Sequence, residues 1–206
     1  MTLPPLPHLP GEDDDFHYRP PGRSIIAVLS DEHLQIAALS AELSESEQPN
    51  KDLASVVTAT VTRHLSAEEQ YLYPAVKDAL PDGRSIAERE VARDAEILKK
   101  LAQLEAEKPG TRAFKKLVDT IGAEFHEHSK TCAGEIFPRL RDAISEANLV
   151  RLGNRVEIAE EAAPTRPHPS SPATPPLNKV TDAALGAADK IRDAVTGRKT
   201  YPEDLA

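Results

Sequence analysis

The sequence predicts an all-α protein: an up-down-up-down four-helix bundle with one extra packed helix outside it and proline-rich N- and C-terminal extensions. Three observations carry that expectation. Four long stretches repeat apolar residues at three-and-four spacing, with turn residues between them. Hydrophobic residues make up 39% of the 206 and aromatics only 4%, without Trp, so the core must be assembled from Leu, Ile, Val and Ala, which favours helices over a β-sandwich. The prolines gather at the two ends, six of them in residues 1–22 and six more in residues 164–176, where missing donors and a fixed φ oppose a packed element.

The elements follow in chain order. Residues 1–22, with the acidic run Glu12 to Asp15, read as a disordered or loosely docked arm. Residues 23–163 read as the bundle. Its first helix starts at Ser24 and carries Ile26, Leu29, His33, Ile36 and Leu43 on one face; the second starts at Asn50 with Leu53, Val57, Val61, His64, Glu68, Tyr71 and Ala75, and stops at "LPDG". The third starts at Ser85, where Glu88 completes a capping box, and carries Ala87, Val91, Asp94, Leu98 and Leu101. The fourth starts near Thr111 with Phe114, Leu117, Ile121, Phe125, His128, Cys132 and Glu135, and a further helix over 146–162 packs outside. Residues 164–206 read as a proline-rich linker and a short terminal helix that docks on the body, with Val180, Leu185, Ile191 and Val195 at helical spacing.

A formal charge of −9 with scattered Lys and Arg gives no basic footprint for nucleic acid or an anionic membrane. No basic start followed by an apolar run opens the chain, and no stretch approaches the ~20 apolar residues of a membrane span. The reading is cytoplasmic. One cysteine, Cys132, makes no internal disulfide and leaves a thiol for other use.

The chemistry lies in polar residues at core registers. His33, His64, Glu68, Asp94, His128 and Cys132 each fall on an apolar stripe, where an unpartnered polar group costs ~1–3 kcal/mol. "HLSAEEQYLYP" from His64 and "HSKTCAGEIFP" from His128 are two copies of one motif, each running from a His to an aromatic-Pro pair. In a His-x-x-x-Glu step the two side chains lie one turn apart on one face, so both reach one metal ion or a close pair. Imidazoles and carboxylates gathered inside a bundle suit iron, manganese or zinc. Glu69 is expected to turn outward and His126 to face away from His128, while His8, His17 and His168 belong to the solvated tails. Tyr71, seven residues after His64, is the aromatic expected to line the centre or to pack in the core.

The stretches "DEHLQI", "HLSAEEQYLYP", "EREVARDAEILKKL" and "HSKTCAGEIFP" resemble the hemerythrin-like family with the His-His-Glu cation-binding domain, in its bacterial form, over about residues 22–163; the tail also resembles those of actinobacterial members. The resemblance implies a non-haem di-iron centre held by a His on the first helix, His-x-x-x-Glu on the second, a His on the third and His-x-x-x-Glu on the fourth, with the carboxylates bridging. It implies binding, sensing or processing of dioxygen, peroxide or nitric oxide. His33, His64, Glu68 and His128 match that pattern. Asp94 stands where the third-helix His is expected and Cys132 where the second Glu is expected. Three arrangements remain open: Asp94 and Cys132 as ligands, Glu135 replacing the missing Glu from one turn away, or a site with one ion or none.

Two function classes follow. One is a hemerythrin-like iron protein that binds or senses a small molecule; peroxide decomposition also belongs here, and no residue pattern separates turnover from binding. The other is a bundle without a di-iron centre, acting as a scaffold or protein-interaction module. A ferritin-like site is excluded because no His has Glu three residues before it.

Overall fold

The structure, a computed structural model, describes residues 20–46, 50–169 and 177–205. The expected N-terminal arm, with His8 and His17, lies almost wholly outside the described residues. Those that are described form helices and turns, without a strand.

Helix α1 (Ile25–Glu45) is followed by a rod of α2 (Lys51–Ala67), a π-turn (Glu68–Leu72) and α3 (Tyr73–Ala79). Helix α4 (Gly83–Ala106) leads to a second rod of α5 (Arg112–Thr131), a π-turn (Cys132–Ile136) and α6 (Phe137–Ala143). Helix α1 packs on α2, α2 on α4, α4 on α5, and α5 closes the ring on α1. Helix α7 (Glu146–Ala162) lies outside against α1 and α2, and α8 (Leu177–Thr196) touches α7 and the first π-turn. A 3₁₀ turn (Pro202–Leu205) meets α2.

Three of the helix starts are those the caps announce: Ser24, Asn50 and Thr111 each accept a backbone N–H three residues on. The third bundle helix departs from expectation. It begins at Gly83 rather than at Ser85, which therefore lies inside the first turn. The chain is drawn in so tightly there that a Cβ on Gly83 would fall 2.0 Å from the Val76 carbonyl oxygen.

The two π-turns share a cause. Pro74 and Pro138 stand one residue into α3 and α6; each lacks an N–H, and its ring would crowd the carbonyl four residues back. The turn widens instead, and the N–H groups of Tyr73 and Phe137 bond the carbonyls of Glu68 and Cys132, five residues back. One extra residue per turn rotates everything after it by about 100° relative to an α-helix.

The apolar core comes in two parts. One holds Leu29, Leu72, Val76, Ile136 and Phe137; the other holds Ile36, Leu65, Leu101, Ile121 and Phe125. On α1, His33 stands between Leu29 and Ile36, and the polar side chains of the other helices meet it at that level.

Candidate metal centre

His33 comes from α1, His64 from the last turn of α2, Glu68 from the start of the first π-turn, His128 from the last turn of α5 and Cys132 from the start of the second π-turn. All are buried, Glu68 and Cys132 completely. His33 Nε2 lies 3.0 Å from His64 Nε2 and 3.8 Å from Glu68 Oε1, and His64 Nε2 lies 3.5 Å from the same oxygen. The point equidistant from these three atoms is about 2.0 Å from each, within the ~2.0–2.2 Å at which nitrogen and oxygen donors hold a divalent ion. The second carboxylate oxygen turns the other way: Oε2 lies 3.1 Å from His128 Nε2 and accepts the Tyr73 hydroxyl at 2.9 Å. Cys132 Sγ stands 3.9 Å from His128 Nε2 and 4.0 Å from Glu68 Oε1. His33, Glu68, His128 and Cys132 thus form a buried set whose donor atoms lie within 4.8 Å of one another, and it could hold a metal.

Each half has a carboxylate behind an imidazole. His64 Nδ1 is 2.7 Å from Glu32 Oε2, which leaves Nε2 free to face the cluster. Asp94 faces the Nδ1 edge of His128, the edge turned away from Glu68: Oδ2 accepts the Tyr73 hydroxyl at 2.7 Å, and Oδ1 lies 3.7 Å from His128 Nδ1. Neither Asp94 Oδ1 nor His128 Nδ1 has another hydrogen-bond partner. A metal-binding His is ordinarily backed by such a carboxylate, which fixes its tautomer. The donor types, the triangle and these two unpaired atoms all fit a metal ion. Phe125 lies 5.3 to 5.7 Å, centre to centre, from all three imidazoles, and Phe137 stacks on His33 at 5.8 Å, so the centre is walled by rings that exclude water.

Residues 24–140 match the family profile described as the hemerythrin HHE cation binding domain. The chain belongs to this family. No curated protein and no solved structure matches it.

The structure brings His33, His64, Glu68, His128 and Cys132 together, and it places three other residues differently from the sequence reading. Glu135 does not reach the cluster; it lies half-exposed, accepting from Arg89 Nη2 at 2.9 Å. Tyr71 does not line the cluster either. It is partly buried under the Lys179 ammonium, 4.1 Å from its ring centre, and the tyrosine at the centre is Tyr73. Both stand seven positions after a His, where α-helical pitch would turn them inward, but both lie within a π-turn that shifts the register. Third, Asp94 is at the centre but behind His128 rather than beside it.

Glu69 also departs from expectation: it is 8% exposed, because α7 and α8 cover the outer face of α2 and the π-turn, with Asp182 of α8 accepting from the neighbouring Ser66 and Gln70. Burial, then the neighbouring Asp94 and Asp182, raises its pKa to about 9. His168 is held against Asp189 at 2.9 Å rather than solvated. His126 is exposed and faces away, as expected. Sequence reasoning missed Glu32 and Glu160, which meet His64 from α1 and α7; Glu32 adjoins His33 in "DEHLQI", but only the packing of α7 brings Glu160 to it.

The electrostatics of the metal-free cluster are those of opposite charges locked together. Burial drives His33 down to about 4. Burial would also lower His64, but Glu68 and Glu32 outweigh it and raise the imidazole well above its usual value. Burial pushes Glu68 up, but His128 and His64 prevail and hold it well below the carboxylate range. Burial, with Glu68 and Asp94 nearby, keeps Cys132 a thiol. Asp94 is raised to about 7 by burial, opposed by His128 and assisted by Glu68.

Proposed function

We propose that this protein carries non-haem iron in the buried cluster, one ion among His33, His64 and Glu68 and a second among Glu68, His128 and Cys132, and binds or senses dioxygen, peroxide or nitric oxide there. The observation that carries the reading is the carboxylate of Glu68, whose Oε1 faces His33 and His64 and whose Oε2 faces His128, so that both oxygens would be available to hold metal. Imidazole, carboxylate and thiolate donors together suit iron. Iron, when bound, supplies redox chemistry and affinity for diatomic ligands and peroxide. The protein's own residues set the conditions. Glu32 holds the Nδ1 proton of His64, and Asp94 is placed to do so for His128. Phe125 and Phe137 keep bulk water out. The single proton of the Tyr73 hydroxyl lies between Glu68 and Asp94, so it can be held by either side. In this reading Cys132 is a thiolate ligand once a cation relieves the cost of its charge.

The test is iron-replete expression, metal analysis and visible absorption, followed by thermal unfolding with and without chelator. About two iron per chain, with an absorption band that shifts in the variant Cys132→Ala, is the expected result. Less than one iron per chain with a melting temperature indifferent to chelator would overturn the reading and leave the bundle as a scaffold.

A further inference from the structure

Helix α8 is amphipathic with its faces reversed. Its polar residues point inward: Asp182 accepts from Ser66 Oγ at 2.7 Å and Gln70 Nε2 at 3.0 Å, Asp189 accepts from the Arg166 N–H at 3.1 Å, and Asp193 accepts from Thr165, Arg166 and Arg198. These contacts fix its orientation. Its apolar residues point outward, with Leu177, Val180, Ile191 and Val195 63 to 83% exposed. The sequence reading expected α8 to dock; it does, but through the face opposite the apolar stripe. The outward face keeps a strict spacing. Leu177, Val180, Ala184, Ala187, Ile191 and Ala194 follow one another at three, four, three, four and three residues, and all of them are exposed. That is the a/d spacing by which one helix seats its apolar side chains between those of another.

We propose that this seam pairs with the same seam of a second copy of the chain, antiparallel, across a two-fold axis between Leu185 and Gly186. The seam is its own complement. Reversing one helix sets its a residues against the d residues of the other, and placing Ala184 opposite Ala187 then brings Val180 opposite Ile191 and Leu177 opposite Ala194, each pair occurring twice. Large meets small at both ends and Val meets Ile between. At the crossing alanine meets alanine, so the two axes can approach to about 8 Å. A parallel pair would stack Leu on Leu and Ile on Ile with layers of Ala on Ala between them, which holds the helices apart and leaves the alanine layers unfilled. The contact uses one patch on both chains and closes on itself, as a two-fold interface does.

The flanks permit this pairing. Lys190 is held by Glu161 of its own chain and Lys179 lies over the Tyr71 ring, and in the antiparallel register Lys190 comes beside Ala183 of the second copy rather than beside another cation. A helix that lies on a bilayer calls instead for large apolar residues along its whole face and free cations beside them, whereas the middle of this face is alanine. The seam is ~26 Å long and ~10 Å wide, or ~260 Å² per copy, against the ~800 Å² per partner of a standard interface. The dimer is therefore a weak, reversible one.

The experiment is sedimentation equilibrium of the full chain from about 10 µM to about 1 mM. The expected result is a mass that rises from the 22.4 kDa of one chain toward twice that, and that stays at one chain in the variant Ala187→Glu, whose exposed position leaves thermal unfolding of the body unchanged. A parent that is monomeric throughout would overturn the proposal, and so would a dimer that Ala187→Glu leaves intact, which would place the contact on another face. Orientation is read by oxidative cross-linking, in which the completely buried Cys132 takes no part. Chains with Val180→Cys should cross-link to chains with Ile191→Cys, and neither should cross-link to itself, because identical positions lie ~16 Å apart along the antiparallel pair. Each variant cross-linking to itself and not to the other would mean parallel pairing and would overturn the proposal as well.

Discussion

Replacing Glu69 by Gln should stabilise the protein, and should do so increasingly as pH rises. Glu69 is buried beside two further carboxylates, Asp94 and Asp182, and its pKa stands at about 9 against 4.5 for the free side chain. The folded chain therefore keeps a proton that the unfolded chain loses. By linkage, the stability tied to that proton is fully present below pH ~4.5 and is lost as pH rises toward ~9, at about 1.4 kcal/mol per pH unit. At pH 7 the loss spans about 2.5 units, or about 3 kcal/mol. Gln keeps the shape and never ionises, so the variant escapes the loss. For a chain of this size that is a rise in Tm of about 6–12 °C at pH 7, and of only about 1–3 °C at pH 5. Glu160, raised to about 9, titrates in the same window but does so in both proteins, so the difference reports Glu69 together with its interaction with Asp94, which is raised to about 7. The assay is guanidinium unfolding of parent and variant at pH 5, 7 and 8.5, with chelator in both so that bound metal does not mask the carboxylates. A gap that is the same at pH 5 and pH 8.5 would refute the reasoning, because it would mean that Glu69 ionises alike in both states.

Glu32→Gln removes the carboxylate from His64 Nδ1 and should weaken iron binding by about 10–100-fold, as read by competition with a chelator, and should also lower metal-free stability, because His64 loses a buried ion-pair partner. Tyr73→Phe deletes the hydroxyl shared by Glu68 and Asp94, both completely buried; it should cost about 2–4 kcal/mol, measured by denaturant unfolding of the metal-free protein. Gly186→Ala puts a Cβ against the Ala162 and Ala163 carbonyls; hydrogen exchange should report α8 lifted from α7 while the bundle stays protected.

The bundle was legible because its signals are local. Ser24, Asn50 and Thr111 cap their helices where the sequence says they should, and His33, His64, Glu68 and His128 stand out as polar groups on apolar stripes that nothing local could satisfy. What escaped depends on contacts between elements or on a break in pitch. Asp94 occupies a ligand's register, yet which edge of His128 it meets is settled by how α4 sits against α5. The apolar stripe of α8 looked like its docking face, and the polar contacts with Ser66, Gln70, Thr165 and Arg166 that reverse it come from distant parts of the chain.

The outward turn of Tyr71 and Glu135 has a single source, and the sequence did carry a warning of it. An α-helix counted from His64 puts position +7 on the inner face, and an α-helix counted from His128 does the same for Glu135. But each motif ends in an aromatic-Pro pair, and a proline ten residues into a helix that otherwise continues leaves two outcomes: a kinked or broken rod, or one widened turn. Since the donors at +4 and the apolar residues beyond the proline, Val76 and Leu140, must both face the core, the rod cannot break, and the extra residue has to be taken up between them. With five residues in that turn, the inner face passes from +4 directly to +9. This brings Tyr73 beside Glu68 and Phe137 beside Cys132, and it turns +7 away. The proline that looked like punctuation thus sets which aromatic residue reaches the centre, and in the second copy that residue is Phe137, without a hydroxyl, opposite a Cys132 without a carboxylate.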